Sequence, residues 1–233
     1  MTVVGDEVRK YAQETFKRAW SNEDSDEVPT ESDALGLGNQ GVLIDAVVLY
    51  ADLVDSTGLV SGHTTMFAAE VYKAYVYAAA KSVRAHYGSV TAYDGDRVMG
   101  VFVGENRRNN AVDAALHIDA MVEDILNPEL KAVYSTTSFR VQSKIGIDAS
   151  QLLVANTGIR GNNDYVWVGN AANNAAKMAG LKLGYTTYIT QDVHASLTDA
   201  NKTTYSGTVI WKDLGTGALG YRIYGANAKK LIV

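Results

Sequence analysis

The sequence predicts an α+β domain in which helices pack on one face of a sheet. Short apolar runs with β-branched residues recur along the chain, and two of them flank Asp94-Gly95, a dipeptide typical of hairpin turns. Longer stretches between them carry apolar residues at helical spacing. Hairpins interleaved with two or three helices are typical of α+β folds. The 233 residues, 47% of them hydrophobic, are enough for one medium domain with an appendage.

The first 41 residues are predicted to lie outside the main domain. Residues 6–20 place apolar side chains on one stripe, which predicts a helix that docks on another surface. Residues 21–41 are rich in Asn, Asp, Ser and Gly and indicate a linker or mobile loop. We therefore expect an N-terminal helix and linker at 1–41 and the main domain at 42–233.

Apolar periodicity and turn residues predict the elements of the main domain. Gly88 is expected to cap the first long helix, and Asn127-Pro128 to end the second, because proline cannot continue a helix. The run after Phe139 and the run 152–155 are expected to be paired strands. In chain order the predicted elements are strand 46–50, helix 64–87, strands 89–93 and 96–103, a helix from Asn110, strands 139–147, 152–155 and 165–169, helix 170–178, strand 186–190, a short helix from Gln191, and the pair 208–214 and 220–224.

Composition argues against several classes of function. The net charge of -5, from 21 Lys+Arg and 26 Asp+Glu, argues against a nucleic-acid surface. The absence of cysteine excludes disulfides and thiolate metal sites. No apolar run approaches the roughly 20 residues needed to span a bilayer, so we expect no membrane insertion and a cytoplasmic protein.

Two carboxylates are candidates for a metal site. Asp52 follows the strand 46–50 directly, and the turn after it, residues 53–57, offers backbone N–H groups for phosphates. Asp96 lies at the start of the second hairpin strand and could meet Asp52 across neighbouring strands. Mg²⁺ prefers such oxygen ligands and is usually shared with substrate phosphates. The alternative for Asp52 is an ordinary helix cap or turn former.

Three segments together resemble the catalytic domain of class III nucleotidyl cyclases, over about residues 43–226. Residues 50–57 resemble the first metal motif of that family, and Gly95-Asp96 resembles the second. Residues 144–148, followed by 169–177, resemble its glycine strand and its Asn-x-x-x-Arg helix. Each segment alone is weak, but their order and spacing are specific.

The resemblance implies a ferredoxin-like βαββαβ core and a head-to-tail homodimer with sites built from both chains. Asp52 and Asp96 of one chain would hold two Mg²⁺ or Mn²⁺ ions per site, and Leu53 would lend its backbone carbonyl. Asn173 of the partner would orient the ribose. Lys177 stands where the family has an arginine, so it offers a point charge in place of a planar fork.

The expected substrate-binding residues depart from the purine cyclases. Ala92 and Val166 occupy the positions that read a purine base, and neither side chain can hydrogen-bond to a base edge. Tyr50 replaces a frequent phenylalanine, which narrows the pocket and adds a hydroxyl group. The remaining expected substrate contacts are Leu53, Val54, Asp55, Ser56 and Thr57.

These departures resemble the pyrimidine cyclases of bacterial Pycsar antiphage systems. That resemblance implies conversion of UTP to 3′,5′-cyclic UMP and pyrophosphate, as a second messenger in antiphage defence read by a separate cyclic-nucleotide-binding effector. The sequence separates UTP poorly from CTP, because one tyrosine hydroxyl can face either base.

Other interpretations stay open. The domain could be an adenylyl cyclase with an atypical base pocket. It could instead be a degenerate domain that binds a nucleotide or regulates another chain, although two retained carboxylates argue against this. Tyr50 could also be a buried tyrosine whose hydroxyl only satisfies a backbone group.

Overall fold

The computed structural model describes residues 2–29, 35–204 and 206–230. Most of the predicted elements are confirmed, including the two long helices, the hairpin and the helix after Gly169. The described helices are α1 (Val3–Lys17), α2 (Ser56–Gly62), α3 (Thr65–Ala85), α4 (Arg107–Met121), α5 (Asn127–Val133), α6 (Asn170–Ala179), α7 (Gln191–Ala195) and α8 (Asp199–Lys202). The described strands are β1 (Ser21–Asp24), β2 (Gln40–Leu53), β3 (Ser89–Asp94), β4 (Arg97–Phe102), β5 (Ser143–Ile159), β6 (Asn162–Val168), β7 (Thr187–Thr190), β8 (Lys212–Asp213) and β9 (Ile223–Ala226).

The nine strands found in the described part of the chain form a single sheet. Its order is β3-β4-β2-β5-β7-β9-β8, with β1 paired to β2 and β6 paired to β5. The elements β2, α3, β3, β4, α4 and β5 follow one another as βαββαβ, and β2 lies between β4 and β5. The ferredoxin-like core expected from the resemblance is therefore confirmed.

Helices cover both faces of the sheet. The expectation that they pack on one face is therefore wrong, because α6 packs on the face opposite to α3 and α4. Strand β2 is buried on both sides, because Val47 and Leu49 pack with α3 and α4 while Ala46 and Val48 pack with α6. Helix α6 approaches β5 closely at Gly146, where any side chain would collide with the carbonyl oxygen of Ala175. Strand β2 therefore carries one set of side chains toward α6, and these include the candidate site.

Strand β5 is a single strand of 17 residues, so the expected pairing of 139–147 with 152–155 is wrong. Polar residues near its middle resemble a turn in the sequence, yet α6 satisfies them. The Ser150 hydroxyl accepts a hydrogen bond from the Ala171 amide at 3.0 Å, and the Asn174 amide donates to Asp148 at 2.8 Å. Polar residues that bond to a packed helix do not interrupt the strand.

The second long helix does not end at Asn127-Pro128. One π-helical turn, Val122–Leu126, leads directly into α5, and Pro128 lies in the first turn of α5. The proline coincides with the change from π-helical to α-helical hydrogen bonding, where the regular i→i−4 pattern is already interrupted.

Tyr87, not Gly88, adopts the left-handed conformation at the end of α3, with φ at 63°. Gly88 donates its N–H to the Val83 carbonyl at 2.9 Å, which closes the helix. Gly88 also leaves room for Phe102, because an added Cβ would lie 2.5 Å from that ring.

The N-terminal segment differs from expectation in two ways. Helix α1 leaves its apolar residues exposed, for example Phe16 at 86%, so no described part of this chain covers its apolar stripe. Only its C-terminal end is held, where the Asn39 side chain donates to the Thr15 carbonyl at 2.7 Å. Strand β1, in the expected linker, pairs in parallel with the start of β2. The boundary at residue 42 stays a prediction. None of the described helices is both long and apolar enough to cross a membrane.

The last predicted strands are shorter than expected. Within 208–214 only β8 is a strand, and the range 220–224 corresponds to β9, which pairs with β8 in antiparallel fashion. Helix α8 was not predicted. Its four residues give no periodic signal, so the sequence offers little sign of it.

Candidate active site

Asp52 lies near the end of β2, where a cation stands opposite it on each neighbouring strand. Its Cα partners are Arg97 in β4 and Lys144 in β5. Arg97 Nη2 donates to Asp52 Oδ2 at 2.9 Å, and both side chains are partly exposed. Lys144 turns away and donates to the Tyr185 carbonyl instead. Asp52 is therefore held by one arginine, at an end of the sheet that solvent reaches.

Asp96 lies in the β3–β4 turn, one residue before β4 begins at Arg97, whereas the sequence predicted it as the first residue of that strand. It directly precedes Arg97, so the turn brings its backbone beside Asp52. Its Oδ2 is buried and has no hydrogen-bond partner among the described residues. A buried carboxylate oxygen without a partner is costly unless a cation binds it. We call Asp52, Asp96 and Arg97 the carboxylate edge.

The carboxylate edge fits the donor chemistry of Mg²⁺ or Mn²⁺. Two carboxylates beside exposed space offer hard oxygen ligands and leave room for substrate oxygens. Within the ranges that the structure describes, no group of three or more His, Cys, Asp or Glu side chains could hold a metal. A metal bound here would take its side-chain ligands from Asp52 and Asp96 alone.

Tyr50 lies two residues before Asp52, and its side chain points to the same face of the sheet. It packs, half-buried, against the apolar cluster shared with Ala92. Burial raises the pKa of the Tyr50 hydroxyl, Arg97 opposes this, and Asp94 adds to it. That hydroxyl makes no hydrogen bond within the described chain. The alternative interpretation, in which the Tyr50 hydroxyl only forms a hydrogen bond with a backbone group, therefore does not apply.

Arg97 is a site residue that the sequence interpretation missed. Its guanidinium carbon lies 5.9 Å from the centre of the Tyr50 ring. The hydrogen bond to Asp52 is the main reason that its pKa is raised, and burial opposes the rise. Its position directly after Asp96 was the available signal, but only the register of β2 with β4 shows that it faces Asp52.

The turn after Asp52 leads into α2, as the phosphate-binding interpretation requires. Asp55 is in the left-handed conformation, with φ at 58°, and caps no amide with its side chain. The Val54 N–H is not free, because it donates to the Gln142 carbonyl at 2.9 Å. Ser56 and Thr57 begin α2, where the amides have no partner inside the helix. Leu53 has a buried side chain, so only its backbone can face a ligand.

A cavity of about 140 Å³ opens beside this turn. Asp52, Val54 and Asp55 line one side of it, and Lys144 and Lys182 line the other. The two lysines balance the two carboxylates of this lining, so a cation bound at Asp52 would be needed to make the cavity attractive to an anionic group of a substrate.

Asn173 and Lys177 lie one turn apart on the exposed side of α6, and we call them the helix side. The opposite side of α6 packs Ala171, Ala175 and Met178 on the sheet. The side chains of Asn173 and Lys177 make no hydrogen bond or ion pair to another described residue. Both side chains are therefore available to a ligand or to another chain.

Val166 lies in β6, opposite Ala155 and far along β5 from Lys144. Its side chain is 39% exposed. The described contacts of one chain do not join Val166 or the helix side to the carboxylate edge. The predicted site residues therefore form separate groups in a single chain.

A buried carboxyl group supports the sheet beside Asp52. Asp119 accepts hydrogen bonds from the hydroxyls of Ser143, Thr186 and Thr187. Burial raises its pKa to about 6, and the three hydroxyls oppose the rise. Ser143 precedes Lys144 at the start of β5, so Asp119 fixes the strand end that flanks Asp52.

Curated proteins similar to this chain include three uridylate cyclases. One from Xanthomonas perforans is 44% identical over 207 residues, which are 89% of each chain. One from Burkholderia cepacia is 40% identical over 217 residues, covering 91% of this chain and 94% of the other. One from Rhodovulum sp. is 29% identical over 198 residues, covering 83% and 82%. No protein-family model matches the chain.

Solved structures with the same fold are cyclases as well. A bacterial light-regulated adenylyl cyclase matches with a TM-score of 0.68 at 21% identity, covering 82% of this chain and 54% of that one. A guanylyl cyclase matches with a TM-score of 0.67 at 16% identity, covering 82% and 95%. At these identities the likeness shows the fold alone.

Proposed function

Because the chain belongs to the uridylate cyclase family, we propose that it is a pyrimidine nucleotidyl cyclase that converts UTP to 3′,5′-cyclic UMP and pyrophosphate. The observation that carries this proposal is the carboxylate edge. Asp52 and Asp96 meet at neighbouring strand ends, and one Asp96 oxygen is buried without a partner among the described residues. This is an arrangement suited to a cation and to the phosphates that accompany it.

The reaction forms a bond between the ribose O3′ and the α-phosphorus and breaks the bond from that phosphorus to the bridging oxygen of pyrophosphate. Two Mg²⁺ or Mn²⁺ ions on Asp52, Asp96 and the Leu53 carbonyl would supply the Lewis acidity that this substitution needs. The amides of Ser56 and Thr57 and the Lys182 side chain of the neighbouring cavity would bind the phosphates. Asp55 and Val54 shape that turn.

The helix side supplies the second half of the site in this proposal. Asn173 would orient the ribose, and the Lys177 ammonium would offset negative charge that develops on the α-phosphate oxygens. Both side chains have no partner in their own described chain and face outward. A head-to-tail homodimer would bring the helix side of one chain to the carboxylate edge of the other.

The pocket chemistry favours a pyrimidine. Ala92 and Val166 have no polar atoms with which to read a purine edge, and Tyr50 fills space while leaving a hydroxyl for the base. Since the relatives are named uridylate cyclases, UTP is the proposed substrate and CTP the nearest competitor.

We place this activity in the cytoplasm, where a cyclic pyrimidine nucleotide would act as a second messenger in antiphage defence. A separate cyclic-nucleotide-binding effector would read the product. Protection against phage in cells that carry both proteins, lost on Asp52→Ala, is the expected result. Protection that survives Asp52→Ala would contradict this role.

The activity itself is tested by incubating the purified chain separately with each of the four NTPs and Mn²⁺. Products are then identified by mass spectrometry. We expect cyclic UMP as the main product, with less cyclic CMP and little purine product. The absence of a cyclic product from any NTP would contradict the proposed activity. Cyclic AMP as the main product would show that the substrate is a purine nucleotide and would contradict the proposed specificity.

A further inference from the structure

Arg97 is bonded to one of the two carboxylate oxygens of Asp52, the residue proposed to bind the metal. Its Nη2 lies 2.9 Å from Asp52 Oδ2, and it follows Asp96 directly in the chain. A dication and a guanidinium cannot share one carboxylate at close range without strong mutual repulsion. A metal bound at Asp52 therefore weakens this ion pair and favours movement of the Arg97 guanidinium away from Asp52.

The surroundings of the Arg97 guanidinium indicate a second position for this group. Its Nε is buried and has no hydrogen-bond partner among the described residues. Its guanidinium already lies 5.9 Å from the Tyr50 ring centre, within range of a cation–π contact. An arginine offers only donors, so once it leaves Asp52 it needs an acceptor oxygen.

We infer that Arg97 competes with the metal for Asp52 and, when the metal binds, passes to an acceptor oxygen of the nucleotide held beside Tyr50. This inference rests on the proposed function. It gives Arg97 two positions, one on Asp52 in the free protein and one on the substrate in the loaded site. Metal and nucleotide then favour each other's binding, because each removes an obstacle to the other.

The first consequence is weak metal binding in the free protein. Lys144, the other cation opposite Asp52, donates to the Tyr185 carbonyl and does not compete in this way. Arg97 alone pairs with Asp52 among the described residues. Neutralising Arg97 should therefore tighten metal binding when no nucleotide is present.

The experiment measures Mn²⁺ binding to the full chain without nucleotide, by electron paramagnetic resonance of free Mn²⁺. Arg97→Gln should bind Mn²⁺ about tenfold more tightly than the wild type, equivalent to about 1.4 kcal/mol. Arg97→Lys keeps the charge and should stay close to the wild type. Arg108→Gln is the matched control, since Arg108 makes a similar ion pair with Asp192, at 2.7 Å, away from the carboxylate edge where Mn²⁺ would bind. Unchanged affinity in Arg97→Gln would overturn the inference.

The second arm measures cyclase kinetics with UTP and CTP at saturating Mn²⁺. Both Arg97→Gln and Arg97→Lys should raise the KM for UTP several-fold, because each loses the Nε donor. A rise for UTP alone would identify the O4 carbonyl of uracil, which cytosine lacks, as the acceptor. Equal rises for UTP and CTP would identify an oxygen that both nucleotides share, in the phosphates, the ribose or the O2 carbonyl of the base. An unchanged KM in both variants would overturn the second position of Arg97. If the wild type makes no cyclic pyrimidine, the proposed function fails instead, while the Mn²⁺ result still stands.

Discussion

The carboxylate edge and the helix side belong to one proposed site, yet they are built in opposite ways. At the carboxylate edge the chain itself supplies a partner for Asp52, which is paired with Arg97 and flanked by Lys144. On the helix side, Asn173 and Lys177 have no partner in the described chain. The carboxylate edge is preorganised by contacts within its own chain, whereas the helix side needs a ligand or a second chain to supply its contacts. We infer that the two halves complement each other between chains.

The largest effect is expected at the carboxylate edge. Asp52→Ala and Asp96→Ala should each lower turnover by about a thousandfold or more, because each removes a metal ligand. Neither removes core volume, so the melting temperature and dimer mass should stay near the wild type. Asp45→Ala, in the same strand but exposed and paired with Arg107, is the control and should stay active. Turnover within tenfold of wild type in either site variant would refute the assignment.

A second prediction concerns Asp119, the buried carboxyl group that supports the strand end beside Asp52, and its effect on the pH dependence of stability. Its pKa is raised in the folded state from 3.8 to about 6, so the native protein binds a proton more strongly than the unfolded chain. This group therefore contributes stability at low pH and loses it as the pH rises through 6. Between pH 4.5 and pH 7.5 that loss is about 2 kcal/mol.

Asp119→Asn removes this titrating group, so the variant serves as the reference for the pH dependence of the wild type. Urea unfolding of both proteins at the two pH values should show the wild type losing about 2 kcal/mol more than the variant. The same difference between the two proteins at both pH values would mean that Asp119 titrates normally in the folded chain.

A smaller effect is expected at Tyr50, which lies beside the carboxylate edge. Tyr50→Phe should weaken pyrimidine selection by about 0.5 to 1.5 kcal/mol, the net value of one hydrogen bond. Tyr50→Ala should do more, lowering kcat/KM for UTP much more than for ATP because the pocket opens. Equal losses for both nucleotides would mean that Tyr50 only supports the fold.

The carboxylate edge could largely be predicted from the sequence because its signals are local. A buried strand that ends in Asp52 and an Asp-Gly turn before Asp96 specify two strand ends. The contact between Asp52 and Arg97 could not be predicted, because it depends on the register of β2 with β4. Register is set by the packing of both faces and by turn geometry together, not by either strand alone.

Other differences have tertiary causes as well. The polar middle of β5 resembles a turn in the sequence, but residues of α6 form hydrogen bonds with Ser150 and Asp148. The helix side was identified from the spacing of Asn173 and Lys177, but no local pattern tells whether a partner lies in the same chain. The exposed stripe of α1 shows the same limit, since helical spacing predicts an apolar face and not what covers it.

The most direct test of the shared site mixes two inactive proteins. Asp96→Ala damages the carboxylate edge, and Asn173→Ala damages the helix side. If each site takes one half from each chain, a mixed dimer contains one intact site and one doubly damaged site. Random exchange makes half of the dimers mixed, so the mixture should recover roughly a quarter of wild-type activity.

The measurement is cyclic UMP formation before and after mixing, with subunit exchange verified by native mass spectrometry of differently tagged chains. Recovery to about a quarter of wild type is the result that a site shared between chains predicts. Two inactive variants that stay inactive after verified exchange would show that each chain builds its site alone, and would contradict the division between carboxylate edge and helix side.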